Sequence, residues 1–134
     1  MTRIRKKGIA IVETRKGILV VSGNNKKIFG LPGGGADKGE SRGRAASREL
    51  REETGLKTKS SKFFIEYMGA HWKDYKGKIV KNHVKVFIVN AYGRARPRHE
   101  VKRIAYWKPG SKITISHSAQ TLINKYREYK NESN

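Results

Sequence analysis

The chain has 134 residues, and its 31 Lys and Arg against 11 Asp and Glu give it a formal net charge of +20 at pH 7. This length predicts one domain over residues 1–134, and the absence of cysteine excludes a disulfide scaffold, a thiolate nucleophile and a Cys-ligated zinc site. The charge predicts attraction to polyanions such as nucleic acid, nucleotides and phosphorylated small molecules.

Short apolar runs rich in β-branched residues predict strands at residues 9–12, 18–21, 63–68, 79–80, 84–89 and 104–107. Helical spacing predicts a helix over 41–54, ended by Gly55, and a second from 116 to about 130. Several strand runs are apolar at consecutive positions, which is typical of strands with both faces covered. We therefore expect an α/β fold, an α/β/α sandwich with a mixed β-sheet between two helices, and a frayed tail at residues 131–134.

Turns and targeting signals complete the outline of the chain. Turns are predicted at residues 16–17, 23–25, 76–77 and 93. The longest apolar runs have four or five residues, whereas a membrane-spanning helix needs about 20. The apolar stretch after the basic start is also too short for a secretory signal. We expect a cytoplasmic protein without a membrane partner.

The acidic residues are concentrated in one segment of this basic chain. On a helix, Glu49 and Glu53 lie one turn apart with Glu52 beside them, so that three carboxylates share a face and repel one another. A divalent cation would relieve this repulsion, and oxygen ligands suit Mg²⁺ or Mn²⁺. The glycines just before the helix permit close backbone approach to a metal or a phosphate. Five of the 11 acids fall within 17 positions: Asp37, Glu40, Glu49, Glu52 and Glu53.

Residues 34–56 resemble the Nudix box, G-x5-E-x7-R-E-U-x-E-E-x-G-U, in which U is a bulky aliphatic residue. The resemblance implies a MutT-like Nudix hydrolase with an α/β/α fold. Such an enzyme cleaves a nucleoside diphosphate linked to another group by attack of water on a phosphorus of the pyrophosphate. Every specified position of the pattern is matched, by Gly34, Glu40, Arg48, Glu49, Leu50, Glu52, Glu53, Gly55 and Leu56.

The resemblance also assigns roles to individual residues. Glu49, Glu52 and Glu53 match the metal-binding glutamates of the family, and a backbone carbonyl near Gly33 or Gly34 often completes the coordination. Glu40 and Arg48 match supporting positions, where Arg48 holds a glutamate by a bidentate pair. For the general base, Glu49 is the first choice and Glu100, on a later loop, is the alternative.

The substrate is left open by the sequence. A nucleoside triphosphate or related nucleotide is the first candidate, and the alternatives are the 5′ end of an RNA, a diphosphoinositol compound and a dinucleoside polyphosphate. Charge alone also suggests a nucleic-acid-binding module without activity, with basic runs at residues 3–7, 57–59 and 94–98 contacting phosphates. Neither the oligomeric state nor the pocket is specified. The residues considered for the pocket are Lys26, Lys27, Trp72, Tyr75 and the segment 94–98.

Overall fold

The computed structural model describes residues 2–24 and 27–133. Two helices and nine strands make up this part of the chain. In chain order they are β1 (Thr2–Ile11), β2 (Glu13–Thr14), β3 (Gly17–Ser22), β4 (Ile28–Phe29), β5 (Gly33–Gly35), α1 (Arg42–Thr54), β6 (Lys57–Lys73), β7 (Ile79–Tyr92), β8 (Arg103–Trp107), β9 (Thr114–Ile115) and α2 (His117–Ser133).

The predicted mixed sheet is present as a four-stranded sheet in the order β5-β1-β7-β6. Strand β1 runs parallel to β7 and antiparallel to β5, and β6 pairs with β7 as an antiparallel hairpin. Two smaller sheets, which the sequence does not predict, accompany it: β2-β3-β8 and β4-β9. The chain therefore folds around several sheets rather than one.

Two apolar cores cover the two faces of these strands. At the end of β1, Ile11 packs into the core beneath α2, whereas its neighbours Ala10 and Val12 pack into the core beneath α1. Strand β3 divides in the same way, with Val20 facing the α2 core and Leu19 the α1 core. Because adjacent strand residues point to opposite faces, consecutive apolar residues bury both sides. The predicted α/β/α sandwich is confirmed.

Helix α1 begins and ends at the residues that its sequence predicts. The Ser41 side chain accepts a hydrogen bond from the Arg44 N–H at 3.1 Å, and Gly55 ends the helix in the left-handed conformation at φ 80°. The helix lies directly on β1 at Gly8, where a Cβ atom would come within 2.0 Å of the Arg42 carbonyl oxygen. This close contact fixes the helix that carries the glutamates against the central sheet.

Strands β1, β6 and β7 are longer than the apolar runs predict. The predicted strands at 79–80 and 84–89 are one strand, because polar residues between them stay in register with β1 and β6. The turn at 76–77 is present, with Gly77 at φ 78°. Helix α2 continues to Ser133, three residues beyond its predicted end and into the tail expected to fray. The turn predicted at 23–25 reaches Asn25, which with Lys26 lies outside the described residues.

Over residues 2–24 and 27–133, no helix is both long and apolar enough to span a membrane.

Candidate active site

The glutamates of α1 face the glycine strand β5. The backbone N–H of Gly33 donates a hydrogen bond to Oε1 of Glu53 at 3.1 Å. A Cβ atom at Gly34 would come within 2.6 Å of the Glu49 carboxyl carbon, so any other residue there would make the Glu49 side chain move. The Gly34 backbone is therefore held beside the Glu49 and Glu53 carboxylates, as the close approach of the glycine run predicts.

Arg48 joins the loop before α1 to the carboxylates on the helix. Its guanidinium donates to both oxygens of Glu40, from Nε at 2.8 Å and from Nη2 at 3.0 Å, in a bidentate pair. Nη1 donates at 3.1 Å to Glu49 and at 3.1 Å to Glu52, and Nη2 also reaches the Gly35 carbonyl oxygen at 2.9 Å. One partly buried cation thus holds three carboxylates and the glycine strand in fixed positions.

The carboxyl groups of this cluster have very different affinities for protons. The pKa of Glu53 is raised to about 7, mainly by burial and also by the negative charges of nearby glutamates, while the hydrogen bond from Gly33 opposes the shift. Burial also raises the pKa of Glu49, although Arg48 opposes the shift. At Glu40, the hydrogen bonds from Arg48 and from the Asp37 backbone lower the pKa to about 2. The site combines one firmly ionised carboxylate with two that resist ionisation.

Glu100 lies close enough to the box for its charge to raise the pKa values of Glu49 and Glu53. It is exposed and follows His99, whose backbone is left-handed at φ 54°, an uncommon conformation for a residue other than glycine. The loop between β7 and β8 therefore brings the predicted alternative base to the same region as the helix glutamates.

Lys7 is a site residue that the sequence analysis missed. Burial and the charge of Arg5 lower the pKa of Lys7, while the nearby charges of Glu49 and Glu53 oppose that shift. This ammonium therefore lies within electrostatic range of the carboxylates. The sequence marks Lys7 only as the last residue of the basic run 3–7. The pairing of Lys7 with Gly35 is what brings it to the site.

The pocket candidates from the sequence either lie away from the carboxylates or bond to the backbone at the end of α1. The 94–98 segment lies along the end of α1, where the Arg98 N–H donates to the Glu53 carbonyl oxygen at 3.0 Å. Of the remaining pocket candidates, Trp72 and Tyr75 lie at the far end of the β6 to β7 hairpin. Lys27 is exposed, and Lys26 is outside the described residues.

The donor set suits a hard divalent cation, because it consists of carboxylate and carbonyl oxygens and because two of the carboxyl groups resist carrying a negative charge unaided. Within the described ranges, no three His, Asp or Glu side chains converge as a ready-made metal cage. Glu49 and Glu52 instead share Nη1 of Arg48. The residues therefore fit a divalent cation by their chemistry, and the bonds to Arg48 use only one oxygen of each of these two carboxylates.

Comparison with known proteins identifies the family. A family model described as NUDIX domain matches residues 3–115, which is most of the chain. The chain belongs to the Nudix family. Nudix hydrolases act on pyrophosphate bonds in nucleoside diphosphate-linked compounds, so the chain is an enzyme of this class, and the predicted resemblance is confirmed. No protein of curated function matches the sequence.

Solved structures of Nudix proteins share the fold over nearly the whole chain. A protein assigned to the nudix hydrolase family in Chromobacterium violaceum is 29% identical, with a TM-score of 0.78 over 98% of this chain and 81% of its own. The MutT NUDIX hydrolase of Burkholderia pseudomallei is 18% identical, with a TM-score of 0.72 over 91% and 97% of the two chains. The NUDIX domain of Shewanella oneidensis NrtR, complexed with ADP ribose, is 17% identical, with a TM-score of 0.68 over 96% and 88%.

The raised pKa of Glu53 predicts a pH-dependent stability of this Nudix protein. The folded chain keeps a proton on Glu53 up to about pH 7, whereas the unfolded chain releases it near 4.5. The free energy of unfolding should therefore decrease as the pH rises from 4.5 to about 7, and then level off. Denaturant unfolding without divalent cations measures this slope. Glu53→Gln should reduce it, and an unchanged slope in that variant would contradict the burial of an ionisable Glu53.

Proposed function

We propose that this Nudix protein is a Mg²⁺-dependent hydrolase that cleaves the pyrophosphate bond of a nucleoside triphosphate or a related nucleoside diphosphate-linked compound. The observation that carries the proposal is the placement of a complete box, with Glu49 and Glu53 against the glycine strand and Arg48 bonded to Glu40. The ADP ribose bound by the Shewanella oneidensis neighbour is a compound of this class. Mn²⁺ is the alternative metal.

The carboxylates of α1 are proposed to hold the metal together with the Gly34 backbone carbonyl. When bound, a divalent cation neutralises charge on the pyrophosphate oxygens and lowers the pKa of an attacking water. Arg48 and Glu40 are positioning residues, because their bidentate pair sets the distance between the loop and the helix. The proposed metal ligands on the helix are Glu49, Glu52 and Glu53.

A carboxylate is required to take a proton from the water as its oxygen bonds to phosphorus and the bridging P–O bond breaks. We assign this role to Glu49, whose environment raises its pKa and therefore its affinity for a proton. Glu100 is the alternative, because its charge acts on the same carboxyl groups from the facing loop. The two assignments predict different pH–rate profiles for the variants that lack Glu49 or Glu100.

Removal of one proposed metal ligand tests the metal-dependent reaction. Glu53→Gln should lower kcat by about 100-fold or more while keeping the fold, because it removes a charged ligand at nearly constant volume. The measurement is phosphate and pyrophosphate release from nucleoside triphosphates, nucleoside diphosphate-linked compounds, dinucleoside polyphosphates and diphosphoinositol compounds, with and without Mg²⁺. Glu128→Gln, an exposed acid on α2, is the matched control and should keep the native rate. Normal turnover in Glu53→Gln would refute the metal assignment.

A second pair of variants distinguishes the two candidate bases. Glu49→Gln should lower kcat, since it also removes a proposed metal ligand, and the residual rate should lack the acidic limb of the pH profile, since no group is then left to titrate as base. Glu100→Gln should retain that limb. Loss of the limb in Glu100→Gln, with retention in Glu49→Gln, would assign the base to the loop and contradict our choice.

A further inference from the structure

The outer end of the four-stranded sheet extends past both apolar cores. We call residues 2–7 and 68–83 the β-arm. Its three strands remain hydrogen-bonded to the end, where β1 pairs Thr2 with Ile79 of β7, and β6 pairs Lys73 with the same residue. Neither core cluster of the described residues includes any residue of the β-arm. The β-arm is an ordered ladder outside both core clusters, although its Val80 side chain is fully buried.

Positive charge is concentrated on the β-arm. Its only acid, Asp74, is used inside the turn, where its Oδ1 accepts hydrogen bonds from the backbone N–H groups of Lys76 at 2.9 Å and Lys78 at 3.0 Å. Such an excess of cations on a narrow ladder favours a ligand with several negative charges. The eight cations are Arg3, Arg5, Lys6, Lys7, Lys73, Lys76, Lys78 and Lys81.

Two surface cavities connect the end of the β-arm to the box. One, of about 210 Å³, lies at the turn and is lined by Arg3, Tyr75 and Lys78 among others. The second, of about 670 Å³, separates β1 from the loop 36–41 and is lined by Arg3, Arg5 and Glu40 among others. Arg3 borders both cavities. A path therefore leads from the turn along the cations of β1 to the acids Asp37 and Glu40 at its inner end.

Two aromatic side chains near the turn are left open to solvent. Tyr75 is 92% exposed and Trp72 is 40% exposed. Exposed aromatic rings among cations are the feature by which single-stranded nucleic acids are held, because the bases stack on the rings while the cations contact the phosphates. A small polyphosphate would use the cations but not the rings. A membrane or an acidic protein surface is broad and would not enter the path that leads inward to the box.

We propose that the β-arm binds single-stranded RNA, with its phosphates along the cations, its bases on Trp72 and Tyr75, and its 5′ end directed towards the box. Residues 2–7 alone span about 20 Å of strand, which matches a chain of several phosphates rather than one nucleotide. RNA is the chosen chain because an RNA begun with a nucleoside triphosphate carries a pyrophosphate linkage at its 5′ end. In this choice the inference rests on the proposed function.

Binding measurements with matched triple variants test the β-arm directly. Fluorescence anisotropy would follow a single-stranded RNA of about 12 nucleotides, without divalent cations, so that binding is separated from hydrolysis. Circular dichroism would confirm that each variant is folded. The β-arm variant is Arg3→Gln, Lys76→Gln, Lys78→Gln, and the control, which removes equal charge from exposed sites elsewhere, is Arg15→Gln, Lys112→Gln, Lys125→Gln.

The β-arm variant should lose about tenfold or more in affinity, and its salt dependence should fall by about 2 in log–log slope, since each phosphate contact on a single strand contributes about 0.7. The control should stay within about threefold of the native affinity. Equal losses in the two variants would overturn the proposal and leave only general attraction by net charge. Arm-dependent binding to phosphatidylserine vesicles with none to RNA would overturn it in favour of a membrane.

Base stacking and the direction of the RNA are tested separately. Tyr75→Ala should weaken binding by about fivefold or more with an unchanged salt slope, because it removes a stacking surface and no charge. Unchanged affinity would refute stacking at Tyr75. The ratio of kcat/KM for 5′-triphosphate RNA to that for GTP should fall in the β-arm variant. Hydrolysis of GTP without hydrolysis of the RNA overturns this inference alone, whereas no hydrolysis of any compound overturns the proposed function.

Discussion

The guanidinium of Arg48 is the interaction on which the site depends. It lies among carboxylates that would otherwise repel one another, and it bonds to Glu40, Glu49 and Glu52 as well as to the Gly35 carbonyl oxygen. A single exposed ion pair contributes little to the stability of a protein. A partly buried guanidinium with several fixed partners, however, orients each of those partners. The strand before the helix and the helix itself are thereby locked in one arrangement.

The distribution of charge gives this arrangement its functional meaning. A net charge of +20 hides an acidic cluster, which lies beside the half-buried Lys7 at the inner end of the basic β-arm. The positive surface attracts a polyphosphate over some distance, whereas the carboxylates would repel it unless a divalent cation lay between them. The positive surface therefore attracts the substrate, whereas the reaction depends on the negatively charged cluster.

Local sequence was sufficient for part of this structure. Ser41 and Gly55 predict the ends of α1, and helical spacing predicts that Glu49, Glu52 and Glu53 share a face, because these features depend on neighbours within a few residues. The length of the β-arm was not predictable from apolar runs. Its polar residues are in strands because backbone pairing, rather than burial, extends the ladder. The approach of Lys7 to the carboxylates likewise depends on pairing between distant segments.

The binding of Mn²⁺, followed by the loss of its free electron paramagnetic resonance signal, tests the central claim most directly. The account predicts that the native chain and the Glu128→Gln control bind Mn²⁺ alike. It also predicts that Glu53→Gln binds at least about tenfold more weakly, because one charged oxygen ligand is lost. Equal binding by all three proteins, or no binding by the native chain, would contradict the claim that the acidic cluster is a divalent-cation site.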